Sequence, residues 1–208
     1  MIGIVDYGMG NLRSVAKALE HVGATVEVTS DAARLAAADS LVLPGVGAFG
    51  RCMENLTAAG LSDVVVDFAR SDRPFLGICV GMQILFEESE EFGPVAGLGI
   101  LPGRVRRIRS EDPSLTIPHM GWNRIRMRNR PPHLRGVIDD AFVYFVHSYA
   151  VECDLDQLAA TTTDYGVEFA SSVWRDNVFA TQFHPEKSQA VGLRILENFA
   201  ALEGSRGR

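Results

Sequence analysis

The spacing of apolar positions changes repeatedly along the chain. Residues 2–6 form a short apolar run, and over residues 12–21 the side chains Leu12, Val15, Ala16 and Leu19 return at a helical spacing. The alternation continues with a β-branched run at 25–29, an alanine-rich stretch at 31–38 and an apolar run at 41–43 stopped by Pro44-Gly45. Helical patterns cover 51–59 and 61–69, an apolar run follows at 75–78, and residues 81–88 have helical spacing. Strand–helix alternation of this kind predicts an α/β fold of three layers, flavodoxin-like, with a mostly parallel sheet between two sets of helices.

The second half has a different texture. Strand patterns at 105–108, 122–127, 141–146, 148–151, 170–174 and 178–183 follow one another with little helix between them. They predict a mixed or antiparallel extension of the same sheet. A last helix is expected over 188–202, with Val191, Ile195, Leu196 and Phe199 on one face, and the tail 204–208 is expected to fray.

Composition narrows the classes of function. The 208 residues suffice for a single domain, 1–208, and 47% hydrophobic with 22% charged residues fits a globular chain. A net charge of -6 argues against a nucleic-acid partner, which needs a positive field. No apolar run is long enough to cross a bilayer, and the first residues lack a secretion signal, so no membrane association and a cytoplasmic location are expected. The three cysteines, Cys52, Cys79 and Cys153, are odd in number and lack Cys-x-x-Cys spacing, so neither a disulfide framework nor a cysteine-based zinc site is expected. Cys52 and Cys153 read as small buried hydrophobes. No His-x-x-x-His pair exists. The glycine-rich stretches fit neither a phosphate loop nor a dinucleotide fingerprint, so no metal and no cofactor are expected.

Cys79 stands apart. Gly77-Ile78-Cys79-Val80-Gly81 lies between an apolar strand and a helical pattern, matching a Gly-x-nucleophile-x-Gly elbow with cysteine as the nucleophile. A tight strand-to-helix turn pushes the thiol out at the sheet's end, a helix N-terminus there favours the thiolate, and the Val80 N–H points to the same place as an oxyanion donor. The base comes from Gln182-Phe183-His184-Pro185-Glu186-Lys187. Pro185 biases His184 toward an extended backbone, in which residues two apart point the same way, so Glu186 can hold the imidazole in one tautomer. Leu43-Pro44-Gly45-Val46-Gly47, at another strand end, offers a second oxyanion donor from Val46 or Gly47.

With these motifs the sequence resembles the class I (triad) glutamine amidotransferases, through Pro44-Gly45-Val46-Gly47, Gly77-Ile78-Cys79-Val80-Gly81-Met82-Gln83 and His184-Pro185-Glu186. Within that family it is most similar to the glutaminase subunits of imidazole glycerol phosphate synthase. Four stretches support this: Asp6 to Asn11, Pro44 to Phe49, Pro118-His119-Met120-Gly121-Trp122-Asn123, and Tyr144-Phe145-Val146-His147-Ser148-Tyr149. The resemblance implies that Cys79, His184 and Glu186 hydrolyse the glutamine side-chain amide through a glutamyl thioester. It further implies that Gly47, Gln83, His147, Ser148 and Tyr149 form the substrate pocket. Ammonia would pass to a separate (β/α)8 cyclase subunit, in a heterodimer that works in histidine biosynthesis. Tyr7 to Asn11, Met120, Trp122, Asn123, Tyr144 and Lys187 would lie toward that partner. For Met120 and Trp122, core packing is an equal alternative on the residues alone.

Two further expectations concern regulation and surface. Val46 between two glycines makes peptide rotation cheap, so the oxyanion site can stay incomplete until the partner biases it, leaving the isolated chain a weak glutaminase. The alternating Arg124, Arg126, Arg128 and Arg130 share a face of an extended segment, which reads as a solvated edge strand before an anion site. The competing classes are a triad glutaminase feeding a different synthase, a cysteine hydrolase of similar fold, and a non-catalytic regulator.

Overall fold

A computed structural model describes residues 1–110 and 112–203; the tail 204–208 lies outside the described residues. In chain order the first half contains β1 (Ile2–Val5), α1 (Leu12–His21), β2 (Val26–Thr29), α2 (Ala32–Ala37), β3 (Ser40–Gly45), α3 (Phe49–Ala58), α4 (Ser62–Ala69), β4 (Phe75–Cys79) and the one-turn α5 (Val80–Gln83). The second half contains β5 (Glu88–Ser89), β6 (Val95–Ala96), β7 (Arg104–Arg107), β8 (His119–Met127), β9 (Ala141–His147), β10 (Tyr149–Glu152), α6 (Leu155–Leu158), β11 (Ala159–Asp164), β12 (Glu168–Arg175), β13 (Val178–Thr181) and α7 (Gln189–Glu203).

Nine strands form one sheet in the order β2-β1-β3-β4-β13-β12-β11-β8-β9. The first five are parallel, and the strands from β12 onward join antiparallel, so the parallel sheet and its antiparallel extension are both present. Strands β1, β3, β4 and β13 are buried along their whole length, which explains their continuous apolar runs. Helices α1 and α7 pack against each other, and α2 packs against α4. No helix among the described residues is long and apolar enough to cross a membrane.

The chain runs from β1 outward to β2, then crosses back to β3 on the other side. This reversal opens a crevice at the carboxyl ends of the strands, where ligands of open α/β sheets bind. The β1–β3 pairing stops at Val42. Pro44, further along β3, therefore faces no β1 partner that its missing N–H would deprive. On its other side β3 stays in register with β4 to the end, so Gly45 lies beside Cys79. Strand β13 runs beside β4 with Thr181 opposite Ile78, so the residues just after it reach the same rim.

Three features depart from the pattern in the sequence. The helix expected over 81–88 is a single turn. Loop residues 98–101 approach and donate to the carbonyls of Ile84, Leu85 and Phe86 at 2.8 to 3.1 Å, and tertiary pairing displaces helical continuation. Strands β7 and β10, expected in the main sheet, pair with each other in a separate four-stranded sheet, β10-β7-β5-β6. Strand β11 has no counterpart among the expected elements. Its Ala-Ala-Thr-Thr-Thr sequence has no apolar period, yet it is buried, with the Thr161 hydroxyl satisfied by Ser171 and Ser172 at 2.8 and 2.7 Å.

A very close backbone approach lies at the crevice. A Cβ on Gly81 would overlap the Leu43 carbonyl oxygen, and one on Gly45 would sit 2.6 Å from the Gly81 nitrogen. Because backbone rather than a flexible side chain is in the way, Gly81→Ala is expected to destabilise the chain by about 2 kcal/mol or more. Urea unfolding measures this; a loss below about 0.5 kcal/mol would mean that the strand ends are not packed this closely.

Candidate active site

Cys79 ends β4 with φ 56° and ψ -113°, left-handed backbone that a side chain rarely adopts. This is the sharp turn that the elbow motif predicts, and it holds the thiol at the rim while the residue remains 3% exposed. Helix α5, which starts at Val80, is too short to carry a large dipole, so what the turn chiefly supplies is direction and free N–H groups.

His184 follows β13 with extended backbone, and its neighbours fix it. Its N–H donates to the Tyr144 carbonyl at 3.0 Å, and its carbonyl accepts from the Ser188 hydroxyl at 2.6 Å. Glu186 does not sit on the same extended strand. Residues Pro185–Lys187 form a 3-10 turn, which brings Glu186 Oε1 within 2.8 Å of His184 Nδ1. Both side chains are almost fully buried. With Nδ1–H committed to the carboxylate, Nε2 is the ring nitrogen left for chemistry, and it has no hydrogen-bond partner among the described residues. Burial pushes the imidazole pKa down, but the nearby Cys79 sulfur and the bonded Glu186 carboxylate outweigh it and raise the pKa to about 10. The site thus favours an imidazolium, the form that hands a proton to a leaving amine.

A cavity of about 400 Å³ opens over these groups and is lined by Val46, Gly47, Cys79, Val80, Gln83, Glu91, His147, Ser148, Tyr149, His184 and Lys187 among others. Three larger hollows, about 610, 520 and 480 Å³, lie away from Cys79 and hold no cysteine paired with a histidine. Within the cavity wall Gln83 donates to the Tyr149 carbonyl and to Gln182 Oε1, both at 2.9 Å, which leaves only its own carbonyl oxygen for a ligand. His147 commits both ring nitrogens, to the Tyr149 carbonyl at 2.8 Å and to His119 Nδ1 at 3.0 Å, so it shapes the wall without being able to bond a substrate.

Two residues at this site escape the sequence pattern. Gln182 approaches Cys79 Sγ at 3.8 Å with its amide nitrogen. Its position two before His184, on the same face of an extended segment, is the signal that could have found it. Glu91 is the one carboxylate among the lining residues, and its Oε2 accepts from the Phe49 N–H at 2.6 Å, capping α3. It sits in a turn distant in sequence, and nothing in the local pattern marks it.

On β8, where Met120 pairs with the lining residue Val146, Met120 and Trp122 are 63% and 46% exposed, which excludes core packing for both. Trp122 meets Tyr144 edge to face at 6.1 Å, and Lys187 Nζ lies 5.8 Å over the Tyr144 ring. Asn11 is half-buried at the start of α1. Asn123 turns inward, donating to the Asp164 carbonyl at 2.9 Å, and Tyr7 is buried beneath the Pro44 loop instead of facing outward. The arginine row does not act as one face: Arg124 stacks over Phe142 at 5.0 Å, while Arg128 grips Glu168 with two bonds of 2.9 Å.

The family model described as glutamine amidotransferase class-I matches residues 3–202. The chain is 56% identical over 206 residues to the protein named imidazole glycerol phosphate synthase subunit HisH of Syntrophotalea carbinolica, covering 97% of this chain and 100% of that one. It is 52% identical to the protein of the same name from Geobacter sulfurreducens, covering 97% and 99%. A solved glutamine amidotransferase superposes with a TM-score of 0.74 over 98% of each chain at 19% identity, a likeness of fold.

Three histidines besides His184 are buried and held neutral. Burial lowers the pKa of His119 and His133 to about 4 and that of His147 to about 3. Each binds its proton less readily folded than unfolded, so each contributes stability that is complete above the unfolded pKa of about 6.5 and is lost as pH falls below it. His184 acts oppositely, contributing stability below about 6.5 that is lost as pH rises through about 10. Unfolding free energy is therefore expected to peak near neutrality. On the acid side, His133→Leu should lose less stability than wild type between about pH 6.5 and 4; equal losses would contradict the assignment.

Proposed function

This chain belongs to the class-I glutamine amidotransferase family, and from that premise we propose that it is the glutaminase subunit of an imidazole glycerol phosphate synthase, with Cys79, His184 and Glu186 as its triad. It hydrolyses glutamine to glutamate and ammonia in histidine biosynthesis. On this reading residues 1–208 form one glutamine amidotransferase domain that works in the cytoplasm. The observation that carries the site assignment is the elbow at Cys79, opening on the same cavity as a buried imidazole whose Nδ1 is already tied to a carboxylate.

Glutamine enters with its side-chain amide over Cys79. The Cys79 proton resides on His184 Nε2, the imidazolium that the raised pKa favours, and the sulfur attacks the amide carbon. The Val80 N–H, with Val46 and Gly47 N–H groups across the crevice, receives the negative oxygen of the tetrahedral intermediate. His184 then protonates the leaving nitrogen, ammonia departs and a glutamyl thioester remains. Water attacks the thioester as His184 takes its proton, and glutamate leaves. Glu186 keeps the ring in one tautomer throughout. The substrate's α-ammonium is suited to Glu91, and its remaining polar groups to Gly47, Gln83, Ser148 and the Tyr149 backbone, while His147 shapes the wall.

Its relatives are named as subunits, and this chain likewise serves a synthase with a second subunit. The partner proposed is a (β/α)8 cyclase, forming a heterodimer over Met120, Trp122, Tyr144, Lys187 and Asn11. The exposed aromatic and methionine side chains beside the cavity mouth suit an interface core. Ammonia released there need not cross open water.

The test is a paired assay of glutamate release, with and without the cyclase and its ribonucleotide substrate. Wild type is expected to be slow alone and faster in the complex. Cys79→Ala should lose at least about a thousandfold of glutamine-dependent turnover while ammonium salts still feed the cyclase. Retained glutaminase activity in Cys79→Ala would refute the assignment.

A further inference from the structure

The loop that supplies the second oxyanion donor is held from beneath by two buried side chains. Tyr7, just past β1, donates its hydroxyl to the Pro44 carbonyl at 2.7 Å, and a Cβ on Gly45 would lie only 2.9 Å from that hydroxyl. Cys52, fully buried on α3, points its sulfur at the Val46 carbonyl at 3.5 Å. The two side chains, from two different elements, lie close to each other beneath the loop, each spending its one proton on its own carbonyl. Burial raises the Cys52 pKa to about 11, which keeps it a thiol and therefore a donor at neutral pH.

Peptide planarity turns these contacts into directions. In a trans peptide the N–H points opposite to the carbonyl. Anchoring the Val46 carbonyl on Cys52 therefore aims the Gly47 N–H away from α3, and Gly47 lines the cavity. Tyr7 fixes the Pro44–Gly45 peptide in the same manner. Between them the Gly45–Val46 peptide, which carries the Val46 N–H, receives no side-chain hydrogen bond among the described residues. Rotation of that peptide between two fixed neighbours leaves the rest of the loop in place.

We propose that Tyr7 and Cys52 are positioning residues for glutamine hydrolysis: they fix the peptides on either side of Gly45–Val46, holding the Gly47 N–H toward the cavity and confining the movable part of the oxyanion site to one peptide. This rests on the glutaminase reading above. Cys52 is thereby more than the small buried hydrophobe that its sequence context suggests.

The experiment measures kcat and KM for glutamine in the complex with the cyclase and its ribonucleotide substrate, with thermal unfolding of each variant chain. Cys52→Ala is expected to lower kcat at least about tenfold with KM within about twofold, since donors are misaimed in the transition state while the pocket stays intact. Cys52→Ser, which restores a donor, should recover to within about threefold of wild type. Tyr7→Phe keeps the ring and its packing, and should lower kcat likewise; it decides the question if Cys52→Ala does not fold. Unchanged kcat in the folded variants, or equal losses in Cys52→Ala and Cys52→Ser, would overturn the proposal while leaving the glutaminase reading standing. A wild-type complex that releases no glutamate would overturn both.

Discussion

The ends of β3 and β4 approach so closely that no side chain fits between Gly45, Gly81 and the Leu43 carbonyl, and the chemistry of the molecule depends on that contact. It places the loop after β3 against the turn after β4, so the backbones of two elements meet without a side chain between them. It also requires the chain to reverse sharply at Cys79, which forces φ to 56°. Backbone of that kind costs about 1 to 3 kcal/mol. Met82, Ile84, Leu85 and Phe86, all fully buried just after the turn, offset it, since each such side chain contributes about 1.5 to 3 kcal/mol on burial. The strain is thus sustained by the hydrophobic segment that follows it.

Charge is handled by the same rim. A histidine and a glutamate are buried side by side, an arrangement that is costly unless each is satisfied. The Nδ1–Oε1 bond satisfies half of each, while His184 Nε2 and Glu186 Oε2 remain without partners among the described residues. An unpaired ring nitrogen in a buried site is a poor choice for stability and a good one for proton transfer. By contrast, the His119–His147 pair beside it is satisfied at its shared nitrogens and is neutral, giving the pocket a wall that does not titrate near physiological pH.

Much of this is legible in the chain because it is local. The elbow, the His-Pro-Glu segment and the glycine-rich loop each declare themselves within a few residues, and the parallel strands read as apolar runs because both of their faces are covered. What the chain does not reveal is what other segments impose. The pattern over 81–88 is helical, yet loop residues 98–101 take its carbonyls. Strand β11 hides because hydroxyl pairs, instead of apolar side chains, sustain its burial. Glu91 and Tyr7 owe their positions to contacts with Phe49 and Pro44, far away in sequence. His184 and Glu186 do pair, but not for the local reason that the extended pattern suggests, since a 3-10 turn brings them together.

The most direct test of the account is to stop the enzyme during turnover with isotopically labelled glutamine, digest it, and locate any covalent adduct by mass spectrometry. A labelled glutamyl group on the peptide carrying Cys79 is the predicted result. Label on the peptides of Cys52 or Cys153, or steady glutamate production with no adduct on any cysteine under conditions where thioester hydrolysis limits the rate, would contradict it.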